Sequence, residues 1–180
     1  MEKLPPRFWT SVWLILPVAD IACGSGIFLE EAFAYLQDYC VQWYICNGQT
    51  DHLIETGLDL YKLPLQEKKD ILCSCIYGID IDIHAVEVAK FSLLIKLIED
   101  ETAPSVSEVV PILPDLGDNI QFGNSLVSQT ELNGISGANH QMMEIAPFDW
   151  STINNGCGFD VIIGNPPYVN TEGMHALLPS

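Results

Sequence analysis

Short apolar runs along the chain alternate with longer segments of helical composition, and the runs end in small or acidic residues. Val12 to Val18 is the first run. It ends at Asp20 and is followed by Gly24 and Gly26, the pattern of a buried strand entering a tight loop. Ile27 to Cys46 is rich in Leu, Glu, Ala and aromatic residues, lacks Gly and Pro, and reads as a helix. Asn47 to Lys69 is broken by Asn47-Gly48, Gly57 and Pro64, which predicts turns and one short helix. Ile71 to Ile79 is a second apolar run, read as a strand that ends in Asp80 and Asp82. Ala85 to Ile98 predicts a helix, with Val88, Phe91, Ile95 and Ile98 forming one apolar face and Asp82 capping its start.

Three prolines, Pro104, Pro111 and Pro114, mark Thr102 to Gly117 as a connector. Asn119 to Phe122 reads as a third strand and leads into Gly123-Asn124-Ser125. Gln129 to Gly158, rich in Gly and Asn, reads as a long loop. Phe159 to Ile163 is a fourth strand that runs into Gly164-Asn165-Pro166-Pro167-Tyr168. Strand, helix, strand, helix, strand, loop, strand is the order of an α/β protein with a parallel sheet. Such sheets bind ligands beyond the carboxyl ends of their strands. Every unusual cluster in this chain falls at such an end.

Four clusters carry candidate chemistry. In Asp20-Ile21-Ala22-Cys23-Gly24-Ser25-Gly26, glycines between strand and helix let a ligand approach the backbone, and the helix start offers free N–H groups to an anion. The methionine end of S-adenosylmethionine has a suitable carboxylate; an ordinary glycine-containing turn has the same spacing. Asp80, at the end of the second strand, stands where α/β nucleotide sites place an acceptor for ribose hydroxyls. For Asp82, helix capping is the better reading. The Asn124 amide suits an adenine edge, and equally suits a polar turn.

Asn165-Pro166-Pro167-Tyr168 is the most specific of the four. The exocyclic amine of adenine is a weak nucleophile because its lone pair is delocalised into the ring. Two acceptors, the Asn165 side-chain oxygen and the Pro166 carbonyl, can hold its N–H groups so that the lone pair points at a methyl donor. The prolines fix the backbone in advance, and Tyr168 can stack on a base drawn out of a duplex.

Composition changes this picture in one respect. The chain of 180 residues is 48% hydrophobic and 17% charged, as expected of a globular domain. Its formal net charge of −17, however, is the reverse of the basic face that proteins use to hold DNA. Six cysteines (23, 40, 46, 73, 75 and 157) occur without a disulfide-scaffold pattern, and Cys73-Ser74-Cys75 lacks zinc-site spacing. They read as reduced thiols of a cytoplasmic protein, and no metal site is expected. Lys3, Arg7 and the apolar stretch after them resemble a secretion signal, but Pro17 and Asp20 interrupt it. No stretch is long and apolar enough for a membrane helix.

The clusters together resemble the adenine-N6 DNA methyltransferases of the Eco57I restriction–modification and phage-defence type. The resemblance rests on D-x-A-C-G-S-G-x-F-L from Asp20, Y-G-I-D-I-D with H-A-V-E-V-A-K in Ile71 to Glu99, D-N-I-Q-F-G-N-S-L-V from Asp118, and F-D-V-I-I-G-N-P-P-Y-V from Phe159. It covers most of residues 15 to 170. It implies a Rossmann-like class I S-adenosylmethionine-dependent fold with an incomplete parallel sheet and flanking helices. It also implies that residues 1–180 form a partial methyltransferase domain, the cofactor-binding half through N-P-P-Y, without a target-recognition domain. Asp20, Ala22, Cys23, Gly24, Gly26, Asp80, Ile81 and Asn124 would bind S-adenosyl-L-methionine. Asn165, Pro166, Pro167 and Tyr168 would be catalytic, with direct transfer to adenine N6.

Ile21 and Ile83 stand where the family usually has Pro, and Asn124 replaces an acid common in related methylases. The family also continues far beyond N-P-P-Y, into further strands and a target-recognition domain. DNA would then be held by regions outside this acidic chain. Its fourth strand would be an open edge inclined to self-association, and the isolated chain would be inactive on DNA. Two rivals remain. A glutamine-N5 protein methyltransferase of the release-factor type shares N-P-P-Y, but lacks A-C-G-S-G and the long insert before the second strand. A non-catalytic half-domain awaiting a partner belongs to a different class. A dehydrogenase would need the G-x-G-x-x-G loop that is absent here.

Overall fold

The computed structural model describes residues 16–58, 60–102, 106, 109–127 and 146–165. Six strands and three α-helices are assigned among them. In chain order they are β1 (Val18–Asp20), α1 (Ile27–Cys46), β2 (Ile54–Gly57), β3 (Leu60–Lys62), α2 (Leu65–Cys75), β4 (Ile76–Asp80), α3 (Ile83–Ile98), β5 (Ile120–Phe122) and β6 (Val161–Ile163). Four strands form one sheet in the order β5-β4-β1-β6, and every pairing in it is parallel. Val18 pairs with Ile76 on one side and with Val161 on the other, and Gly78 pairs with Ile120. The chain thus builds outward from β1 to one edge, then returns to place β6 on the other side. This is the Rossmann-like arrangement, with its switch point beside β1.

The two central strands, β1 and β4, are buried from both sides, as in parallel sheets generally. Along β4 the side chains alternate. Ile76 joins the core formed with α1, α2 and α3, which includes Leu29, Phe33, Leu72 and Leu93. Tyr77 and Ile79 point to the opposite face, where they meet Ala19, Phe148, Ile153 and Phe159. On that second face the described cover is the segment before β6 rather than a helix. It is built on ring contacts: Tyr77 with Phe159 at 5.5 Å, Phe148 with Trp150 at 5.2 Å, and Trp150 with Phe159 at 6.3 Å.

Several expectations need correction. Ile71 to Ile79 is not one strand. Ile71, Leu72 and Cys75 are buried residues of α2, and the extended chain starts at Ile76 with no intervening loop. An apolar run carries no mark of where helix becomes strand. Asn47 to Lys69 holds, besides turns and the start of α2, the antiparallel hairpin β2–β3, whose first strand is exposed throughout and shows no burial pattern. This insert is tied down by Lys68, 4% exposed, whose Nζ lies 2.7 Å from Glu101, and by Lys62 at 3.1 Å from the same carboxylate.

The apolar face picked out on α3 is the outer one. Val88, Phe91 and Ile95 are 49%, 64% and 48% exposed, whereas Val86, Ala89, Leu93 and Leu97 are buried. The helix is apolar on both sides, so periodicity alone cannot choose between them. Gly26 chooses: a Cβ there would lie 3.0 Å from the Ala89 Cβ, so α1 and α3 meet where both side chains are smallest. Of the first apolar run, Val12 to Ile15 lie outside the described residues, and the strand itself begins at Val18. The third and fourth strands fall where expected, within one or two residues.

Candidate cofactor and acceptor site

At the carboxyl edge of the sheet, three loops converge. After β1, Gly24 and Gly26 take left-handed backbone angles (φ 53° and 89°), and this lets the chain turn sharply into α1. The Cys23 N–H donates to the Ile79 carbonyl at 3.0 Å and the Gly24 N–H to Asp80 Oδ2 at 2.7 Å, so this loop is laced to the end of β4. Asp80 Oδ1 accepts the Asp82 N–H at 2.9 Å. Asp82 in turn caps α3 by accepting the His84 N–H at 2.9 Å, which is the capping role expected for it. The third loop joins in: the Gly123 N–H donates to the Asp80 carbonyl at 2.9 Å, and Ser125 Oγ donates to the Ile21 carbonyl at 2.7 Å.

Between these loops lies a cavity of about 370 Å³, lined by Ile21, Ala22, Asp80, Ile81 and residues 123–126. Its volume is in the range of small-molecule sites. The lining suits a nucleoside. Each Asp80 oxygen accepts one backbone N–H, which leaves each a lone pair for a ribose hydroxyl. Ile81, 56% exposed, offers an apolar wall. Asn124 Oδ1 accepts the Leu126 N–H at 3.1 Å, so the polar-turn reading holds for this residue. Its remaining lone pair and its amide N–H groups are the right donors and acceptors for a base edge. Both alternatives for Asn124 are therefore compatible in one residue.

The expected residues do not all play one part. Ala22, Asp80, Ile81 and Asn124 line the cavity together. Gly24 and Gly26 shape the loop, and Gly26 also sets the contact with α3. Cys23 is buried, and its thiol is pushed up to about 12 by burial first and then by the charges of Asp80 and Asp20. It stays protonated at neutral pH and is no thiolate nucleophile. Asp20 is 1% exposed, accepts the Ala22 N–H at 3.0 Å, and does not border the cavity. Its carboxyl is raised above the ordinary range by burial, an effect that the Ala22 hydrogen bond opposes and the Asp80 charge increases.

Beyond β6, Gly164 passes against Asp20, and Asn165 is exposed next to it. Pro166, Pro167 and Tyr168 lie outside the described residues. Sequence reasoning missed Ile21, Gly123, Ser125 and Leu126 as cavity residues; their signal was position, directly after the predicted first and third strands. Among the described residues there is no group of His, Cys, Asp or Glu that could hold a metal ion.

A parallel sheet in the order β5-β4-β1-β6, with a nucleoside-sized cavity at its carboxyl edge, defines a Rossmann-like α/β protein and is consistent with the methyltransferase class. Comparison with known proteins narrows this. Residues 74–178, more than half of the chain, match the model of the Eco57I restriction-modification methylase family, and the chain belongs to that family. It is 45% identical over 161 residues to the type II restriction enzyme and methyltransferase RM.Eco57I of Escherichia coli. It is 34% identical over 116 residues to the putative type II restriction enzyme and methyltransferase RM.MjaORFECS2P of Methanocaldococcus jannaschii. These matches take in 89% and 64% of this chain but only 15% and 9% of those relatives. No solved structure matches.

Proposed function

We propose that the chain is the cofactor-binding part of an S-adenosylmethionine-dependent DNA methyltransferase that modifies adenine at N6. The observation that carries this reading is the meeting of Asp80 and Asn124 in one cavity, with Asn165 leaving the neighbouring part of the same sheet edge. Bound S-adenosylmethionine supplies the activated methyl group. Asp80 accepts hydrogen bonds from the ribose hydroxyls, Ile81 and Ala22 wall the nucleoside, and Asn124 meets its base. Asn165 and the Pro166 carbonyl hold the two N–H groups of the target amine and aim its lone pair, and Tyr168 stacks on the flipped base. The protonated Cys23 agrees with transfer that forms no covalent enzyme intermediate.

DNA is the partner, and it is gripped by protein surface outside this chain. A net charge of −17 opposes a phosphate backbone, and the chain spans 15% or less of the curated relatives it matches. A restriction–modification enzyme of this kind works in the cytoplasm. Among the described residues, no helix is long and apolar enough to cross a membrane. The hairpin insert between α1 and α2 favours this reading over a glutamine methyltransferase, which lacks a long insert there.

Calorimetric titration with S-adenosylmethionine tests the proposal, with Asp80→Ala in parallel. Binding by the wild-type chain, weakened by about tenfold or more in the variant, is expected for a charge-assisted pair of hydrogen bonds. A folded chain that binds equally well without the Asp80 carboxylate would sink it.

A further inference from the structure

Asp20 has almost no surface for a ligand, yet its carboxylate stands at a junction. Oδ1 accepts the Ala22 N–H at 3.0 Å and lies 2.7 Å from where a Cβ on Gly164 would be. The register explains this. Asp20 pairs with Ile163, the last residue of β6, so its side chain reaches the first residue beyond that strand. Gly164 has φ 151°, a conformation rarely adopted by residues with side chains. Any side chain at 164 would therefore be strained by the backbone and would also strike a buried carboxylate. What faces Asp20 instead is an α-hydrogen of the glycine, a weak donor.

We propose that Asp20 is a positioning residue for the acceptor segment: anchored on the Ala22 amide, its carboxylate sets where the chain leaves β6 and hence where Asn165 stands over the sheet edge. The inference rests on the reading of Asn165 as the residue that holds the target amine. One oxygen atom then serves both halves of the reaction. It shapes the loop that walls the cofactor cavity through Ala22, and it fixes the start of the segment that meets the base. A methyl donor and an acceptor must be registered to within a fraction of an ångström, and a shared buried side chain registers them directly.

The groups that act on Asp20 are the Ala22 N–H and Asp80 from β4, while the Cys23 thiol feels the Asp20 charge in turn; β6, a Val-Ile-Ile strand, brings no titratable group. Burial raises the carboxyl above the ordinary range, so its titration can be followed from its neighbours. The test uses the isotope-labelled chain and records the backbone amide resonances of Ala22, Gly24, Gly164 and Asn165 through an acid titration. Wild type is compared with Asp20→Asn, which keeps the volume and the acceptor for Ala22, and S-adenosylmethionine binding is measured on the same samples.

The expected result is one titration step shared by Ala22, Gly164 and Asn165, lost from all three in Asp20→Asn. Gly164→Ala, read from the other side, is expected to move the Ala22 resonance and leave Gly24, which is held by Asp80, in place. A step at Ala22 that Gly164 and Asn165 do not share overturns the proposal. Shared titration in a chain that binds no S-adenosylmethionine leaves the contact standing and removes the functional reading, so the two failures are distinct.

Discussion

The two sides of the sheet edge are built differently. On the β4–β5 side, the loops are cross-linked by two backbone hydrogen bonds, Gly123 to Asp80 and Cys23 to Ile79, and by two that use a side chain, Gly24 N–H to the Asp80 carboxylate and the Ser125 hydroxyl to the Ile21 carbonyl. On the β6 side, the chain passes Asp20 at Gly164 and leaves Asn165 exposed. The laced side is held loop to loop by hydrogen bonds, whereas the β6 side is held by its pairing with β1 and by close packing at Gly164. A cofactor pocket gains from being preformed, because affinity is not then spent on ordering loops. On the function proposed above, the segment beyond β6 would have to receive a flipped base, a much larger group.

The comparison predicts that changes on the laced side act first on folding. The largest effect is expected from Gly26→Ala. The new methyl would meet Ala89 at 3.0 Å from a backbone at φ 89°. Strain and overpacking together should lower stability by about 2–4 kcal/mol, read by urea denaturation. A loss below about 0.5 kcal/mol, the usual range for surface substitutions, would mean that α1 and α3 are free to separate there. Ser125→Ala comes next. It removes the bond between the third loop and Ile21, and should reduce stability by about 1 kcal/mol. It should also weaken S-adenosylmethionine binding by several fold. Unchanged binding would mean that the cavity does not need its lacing.

How far the sequence revealed this arrangement depends on what each signal encodes. β5 and β6 were legible because a short apolar run ends there in a polar turn. The boundary between α2 and β4 was not, since Ile71 to Ile79 stays apolar while the backbone changes from helical to extended at Ile76. The inner face of α3 was not legible because both faces are apolar and the buried one is chosen by packing against elements distant in sequence, such as the contact of Gly26 with Ala89. The exposed β2–β3 hairpin has no buried face to leave a pattern. In the site, the place of Asp80 and Asn124 at the cavity was legible because both stand at or just beyond the end of a predicted strand. That Asp20 is buried against Gly164 was not, because it depends on the pairing of the first strand with the last.

The open side of β6 gives a smaller prediction. Within the described residues β6 pairs with β1 alone, and Ile162 is 55% exposed. Such an edge invites pairing with another chain. Sedimentation at rising concentration is expected to show association that Ile162→Lys reduces; an equally associated variant would place the contact elsewhere, for instance on the outer face of α3.

The smallest effect, and the one that bears most directly on the two sides, concerns Asp20 in the unliganded chain. Its folded-state carboxyl is raised, chiefly by burial, so the fold favours the protonated form. The sign follows: its contribution to stability is fully present below the unfolded value of about 3.9 and is lost as pH rises through the raised folded value. Ionisation of this carboxyl therefore works against the fold. Asp20→Asn should leave the melting temperature nearly unchanged in acid and raise it slightly near pH 7, measured as thermal unfolding across that interval. A buried charge kept at such a cost makes sense where it positions the segment beside it. A melting temperature lowered at pH 7 and unchanged in acid would instead show that the carboxylate is stabilised in its ionised form, and its role would have to be sought in that attraction rather than in the contact with Gly164.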